Sequence, residues 1–147
     1  MKSVETIRIA KRYRYLSDFA KETGWELPNG ILDKQITGAG ATHLAITDSH
    51  PTIIVSPRRD LIRNKCEQYD NLLWYEGDRT ANKDMDKFKA AVKAGIKNPK
   101  IIVTVDKFCR LLNDSNMPIA IYNWHIVVDE YHTIIRDIFY RENVYLD

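Results

Sequence analysis

Three short runs of β-branched residues, Ile53-Ile54-Val55, Ile101-Ile102-Val103 and Ile126-Val127-Val128, constrain this chain more than any other feature. Each is apolar at consecutive positions, which predicts strands covered on both faces, as in a parallel sheet lying between helices. The segments between them carry helical spacing instead. Leu61, Ile62, Cys66 and Tyr69 predict a helix over 59–73, and Met85, Phe88, Ala91 and Val92 predict a second that Asn82 caps and Gly95 ends. Leu72 to Tyr75 reads as a further short strand, Lys100 to Val105 as the next, and Trp124 to Val128 as the last and a buried one. Asp106 is placed to cap a short helix to Leu112, followed by a loop over 113–118. Near the start, Leu16, Phe19 and Ala20 predict a helix that stops at Gly24. Strand and helix alternate throughout, so the expected class is α/β, a mainly parallel sheet flanked by helices.

Size and charge narrow the function classes. A chain of 147 residues is one domain by length and can bury a real core. Its hydrophobic fraction of 44% and charged fraction of 29% are ordinary for a globular protein, and no window is long and apolar enough to span a membrane. Met1 to Ala10 carries charges where a signal peptide needs an apolar segment, so the cytoplasm is the expected location. The net charge of +2 excludes a strongly basic nucleic-acid clamp but permits a local basic patch. Cys66 and Cys109 have neither a second cysteine nor a histidine at metal spacing, which reads as two reduced thiols.

Chemistry concentrates at two places. Thr37-Gly38-Ala39-Gly40-Ala41-Thr42 follows the apolar start of Ile31 to Ile36, the expected first strand of the sheet. Two glycines let backbone amides converge on an anion, and Thr42 stands where a phosphate loop places a magnesium-binding hydroxyl. Position 41 holds alanine where such a loop has lysine. A tight turn of small residues is the competing reading of this stretch. At the second place, Asp129-Glu130-Tyr131-His132 ends an apolar strand with two carboxylates and a histidine, at the end of a strand where open parallel sheets put their sites.

Taken with two further blocks, these stretches resemble the superfamily 2 helicases of the DExH type. Thr37 to Thr42 is similar to that family's phosphate loop and Asp129 to His132 to its Asp-Glu-x-His strand end. Ile53 to Leu61, a strand ending in Pro57-Arg58-Arg59-Asp60-Leu61, resembles the second conserved block, and Ile101 to Phe108, a strand ending in Thr104, the third. The four blocks stand in the family's order. The resemblance implies a RecA-like P-loop NTPase lobe over 30–147, incomplete at its carboxyl end, preceded by an extension over 1–29. It implies ATP and Mg2+ as cofactors, with the backbone of residues 38–42 on the phosphates and Thr42 and Asp129 on the metal. Glu130 would orient or deprotonate the attacking water and His132 would couple the site to nucleic acid. Arg58, Arg59, Thr104 and Lys107 would touch the backbone of DNA or RNA. A second helicase lobe, in cis or on a partner chain, would complete the motor. The alternative is a catalytically inactive helicase-like module that binds nucleic acid or a protein.

Other polar positions leave alternatives open. Lys34 either substitutes for the ammonium missing at position 41 or, with Asp33, faces solvent. His43 to Thr47 is either a very short helix or an extended piece that forms a hairpin with Thr52 to Ser56. Arg8, Lys11, Arg12 and Arg14, interleaved with Tyr13 and Tyr15, read as a solvated face rather than a strand-binding one. His43 and His50 have no evident partners and read as surface or turn residues.

Overall fold

The computed structural model describes residues 4–36, 38–75, 81–113 and 123–136. The chain divides into two compact units, residues 1–47 and 48–147.

In the first unit, α1 (Leu16–Thr23) packs with α2 (Ala41–Thr47). The Asp18 carboxylate accepts from the Tyr15 N–H and so caps the start of α1, while Gly24 ends it at φ 73°, where the absence of a Cβ removes the steric penalty. Tyr13, Phe19 and Trp25 form a chain of edge-on and tilted ring contacts at 5.5 and 5.8 Å, and Arg12 pairs with exposed Glu22 at 2.6 Å. Arg12, Tyr13, Phe19 and Trp25 are thus partnered within the segment's own fold. Residues 31–36 are not a strand. The Asp33 side chain accepts from the Gln35 N–H at 3.0 Å and Gln35 takes a left-handed φ of 54°, so a local turn displaces the extended backbone that pairing needs. Ile31 and Ile36 stay exposed as a result, and Lys34 lies in the same exposed turn.

The second unit is built on a sheet. Its strands β1 (Thr52–Ser56), β2 (Leu72–Tyr75), β3 (Lys100–Thr104) and β4 (His125–Val128) are all parallel and lie in the order β2-β3-β1-β4. Helix α3 (Arg59–Gln68) joins β1 to β2, α4 (Ala81–Lys93) joins β2 to β3, and α5 (Val105–Leu112) lies between β3 and β4. The crossover by α3 runs across the sheet in one direction and those by α4 and α5 in the other. Right-handed connection then puts α3 on one face and α4 and α5 on the opposite one.

Packing agrees with this division. Ile53, Val55, Ile101 and Val103 point to one face and form a core with Leu111 of α5, against which Val92 of α4 and Val105 and Phe108 of α5 are packed. Ile54 and Ile102 alternate to the other face and are as fully buried, as is Ile62 of α3. Each such isoleucine contributes roughly 1.5–3 kcal/mol by leaving water. This two-sided burial is why the runs are apolar at every position. Two expectations are corrected here. Helix α5 begins at Val105 with Thr104 at its cap position, so Asp106 lies in the first turn, where its charge complements the helix dipole. And β4 is an edge strand, not a buried one: Ile126 and Val128 are 44% and 45% exposed, because β1 is its sole strand neighbour among the described residues. The sheet accordingly has four strands rather than the expected five among the described residues.

Candidate functional site

The parallel register aligns the strand ends, and that alignment builds the candidate site in the second unit. Val55 pairs with Val128 and with Val103, and Ser56 with Thr104. The ladder continues one residue past β4, where the Asp129 N–H donates to the Val55 carbonyl at 2.9 Å. Thr104, Ser56 and Asp129 therefore end three neighbouring strands at one edge of the sheet. Three of the four sequence blocks, which end at residues 56, 104 and 129 and so lie far apart along the chain, meet at this edge.

Each side chain there has a distinct setting. Asp129 is half-buried and Glu130 and His132 are exposed. Glu130 takes a left-handed φ of 50°, uncommon for a residue with a Cβ, and its carbonyl accepts from the Thr133 N–H at 2.9 Å as residues 131–136 turn into a helix. The turn thus swings the Glu130 carboxylate off the strand direction. Left-handed backbone costs a non-glycine residue roughly 1–2 kcal/mol. We expect Glu130→Gly to raise the unfolding free energy by about 1 kcal/mol in urea denaturation, while removing the carboxylate from the site.

Arg58 and Arg59 lie at the start of α3 beyond β1, both exposed. Arg58 holds Asp60 with two contacts, Nη2 to Oδ2 at 2.5 Å and Nε to Oδ1 at 3.2 Å. That hydrogen bonding, and then the charge of Asp60, raise the Arg58 pKa, with a smaller pull from Glu130; the hydrogen bond from Arg58 in turn lowers the Asp60 pKa. A phosphate arriving at Arg58 has to compete with this carboxylate. Lys107, in the first turn of α5, and Thr104 are half-buried.

In the first unit the glycine loop has the backbone expected of it. Gly38 and Gly40 take φ of 74° and 83°, and α2 starts at once with Ala41. The short-helix alternative for 43–47 holds, although α2 has only seven residues. The Ala39 carbonyl accepts from the Leu16 N–H at 2.8 Å, which ties the loop to the start of α1. Ala41 and Thr42 are half-buried. Thr37 lies outside the described residues.

A second polar cluster lies at the opposite end of the strands, and sequence reasoning missed it. Thr52 pairs with Lys100 on one side and His125 on the other, so these three residues form a row across β3, β1 and β4. The Lys100 side chain is 1% exposed; its ammonium donates to the Asp48 carboxylate, to the His50 carbonyl at 2.6 Å and to Thr52 Oγ1 at 3.0 Å. Burial lowers the Lys100 pKa, and the hydrogen bond and charge of Asp48 partly offset it. Asp48 Oδ1 also accepts from the His50 N–H at 3.2 Å, and the His50 and His125 rings stack 4.2 Å apart. His50 is therefore a partnered, half-buried residue rather than a bare turn residue. The available signal was a lysine as the first residue of a strand whose next three positions are fully apolar, since a charge placed there needs a counter-ion.

Comparison with protein-family models, curated proteins and solved structures gave no match to this chain. No helix among the described residues is long and apolar enough to cross a membrane.

Proposed function

We propose that this chain is the nucleotide-binding lobe of a helicase-like ATPase of the DExH type, a RecA-like P-loop lobe that acts on DNA or RNA and needs a second lobe for turnover. The observation that carries the proposal is the convergence at one sheet edge of three blocks, those ending in Arg58, Thr104 and Asp129-Glu130, in the family's order along the chain. The loop of residues 38–42 adds left-handed glycines followed by a helix and a threonine, the residue types a phosphate and its magnesium require.

The residue roles follow from chemistry and setting. Bound Mg2+ would supply charge neutralisation to the phosphates. In the second unit Asp129, half-buried at a strand end, is the carboxylate suited to that ion, directly or through water; in the first unit Thr42 is the hydroxyl suited to it. Glu130, exposed beside it, can take a proton from water or orient it. His132 follows on the next turn and would connect the site with the nucleic-acid surface. Arg58, Arg59, Thr104 and Lys107 read phosphate backbone rather than base sequence.

A calorimetric titration with magnesium and a non-hydrolysable ATP analogue tests this. Binding by the wild-type chain that Thr42→Ala and Asp129→Ala both abolish supports the proposal; no heat from folded protein overturns nucleotide binding by the isolated lobe. One observation favours a second reading. Ala41 removes the loop's ammonium, so a nucleotide-independent module for nucleic acid fits the same fold. That reading gains from salt-sensitive binding of single strands that magnesium and nucleotide leave unchanged.

Asp60 supplies a separate check on the nucleic-acid surface. Asp60→Asn releases Arg58 from its carboxylate, so we expect tighter binding of single-stranded oligonucleotide and a salt slope steeper by about one. Fluorescence anisotropy over a salt series measures both. Weaker binding in this variant would remove Arg58 from the phosphate-contacting set.

A further inference from the structure

We propose that Asp48, His50 and His125 form a site for a divalent transition metal ion of the zinc class, at the amino-terminal edge of the sheet. The three side chains each present a ligand atom, and these atoms all lie within 4.8 Å of one another. Asp48 Oδ2 and His50 Nδ1 are already 3.5 Å apart. Tetrahedral zinc with bonds near 2.0–2.1 Å sets its donors roughly 3.3 Å apart, so this pair needs almost no movement.

The scaffold fixes two of the three ligands. The Asp48-Ser49-His50-Pro51 turn is held at its base, where Thr52 Oγ1 donates to the His50 carbonyl at 2.9 Å and the His50 N–H donates to Asp48 Oδ1. Lys100 grips that same Oδ1. The carboxylate is thus anchored through one oxygen while the other faces the imidazole, the arrangement in which an outer hydrogen bond orients a metal-binding carboxylate. His125 comes from the first residue of β4, beside Thr52 in the register. Its ring is exposed and stacks on His50 at an interplanar angle of 16°. Parallel rings cannot both point a nitrogen at one ion, so binding opens the stack, with the exposed His125 ring turning and the half-buried His50 ring staying.

Donor chemistry selects the ion. Two imidazoles and one carboxylate suit Zn2+, Co2+, Ni2+ or Cu2+ and do not suit Mg2+. The site is therefore chemically distinct from the magnesium position proposed at Asp129, and it stands whether or not that reading does. Lys100 already balances the charge of Asp48, so the ion is not required for the fold. The nearby ammonium repels it and so weakens the affinity relative to the same three ligands without a neighbouring cation.

The test uses the 147-residue chain without a tag. Zn2+ binding is measured by competition with a chromogenic chelator, and Co2+ binding by its visible absorption. We expect one equivalent of ion, unaffected by excess Mg2+, and a loss of about tenfold or more in affinity in His125→Gln and in His50→Gln. His43→Gln should bind as wild type. His125 is exposed on an edge strand, so His125→Gln is the variant that tests the site without disturbing the core, with circular dichroism as the check on folding. Absence of micromolar binding, or binding that persists unchanged in His125→Gln, overturns the proposal.

Discussion

Asp48→Ala is expected to lower the unfolding free energy by about 3 kcal/mol or more, whereas Lys100→Met should change it by less than about 1 kcal/mol. The asymmetry follows from the desolvation of Lys100, whose side chain is 1% exposed. Removing Asp48 leaves a buried ammonium without its carboxylate, facing neutral acceptors such as the His50 carbonyl and the Thr52 hydroxyl, or forces it to give up its proton. Methionine in place of Lys100 removes the charge and keeps much of the volume at the first residue of a core strand. Asp48 then keeps the His50 N–H as a donor. Guanidinium denaturation of the two variants reads the difference directly. Equal costs would mean that Lys100 acts through packing and not through its charge.

The pH dependence of stability gives the same pair a second readout. The Lys100 pKa in the fold lies below its unfolded value, chiefly through burial, so the unfolded chain holds that proton more tightly. Stability from this residue is therefore complete above the unfolded lysine pKa and declines as pH falls through the interval down to the folded one. Lys100→Met should lack this alkaline rise. A rise of the same size in both proteins would assign it to other groups.

Ala41→Lys is the second large expectation, and it is a gain. In a phosphate loop the lysine at this position is a preorganised donor, and one such donor is worth on the order of 3 kcal/mol, about a hundredfold. Gly38 and Gly40 already hold left-handed backbone and α2 begins at residue 41, so the new side chain sits where the resemblance places the loop's lysine. That factor describes the transition state, so we expect magnesium–nucleotide affinity in calorimetry to rise by less than about a hundredfold. No gain in a folded Ala41→Lys protein would mean that residues 38–42 are a tight turn and not a phosphate site.

How far these sites could be read from sequence depended on the range of the interactions that define them. Ile53-Ile54-Val55 and Ile101-Ile102-Val103 announced buried parallel strands because every position of such a strand is covered, a property each residue carries in its own composition. Gly24 and Gly95 announced helix ends because left-handed backbone is a local steric matter. Asp129 and Glu130 were legible as a strand end because two carboxylates directly follow an apolar run. Residues 31–36 misled because the apolar residues at both ends suggested a strand, while the Asp33 carboxylate offered the Gln35 N–H a nearer partner than any neighbouring strand. Ile126-Val127-Val128 carried the composition of an inner strand, but composition does not say how many neighbours a strand has.

The sequence by itself therefore determined the α/β alternation, the strand and helix positions of the sheet unit, and the order of the four chemical blocks. Only the tertiary structure decided that Thr104, Ser56 and Asp129 end neighbouring strands, that β4 lies at the edge, and that Asp48, His50, Lys100 and His125 meet at the other end. Residues 48, 100 and 125 are remote along the chain, and nothing near any of them specifies the others. What joins them is strand order and register, which are set by the summed burial of two sheet faces and by right-handed crossovers, and so belong to the whole unit rather than to any segment.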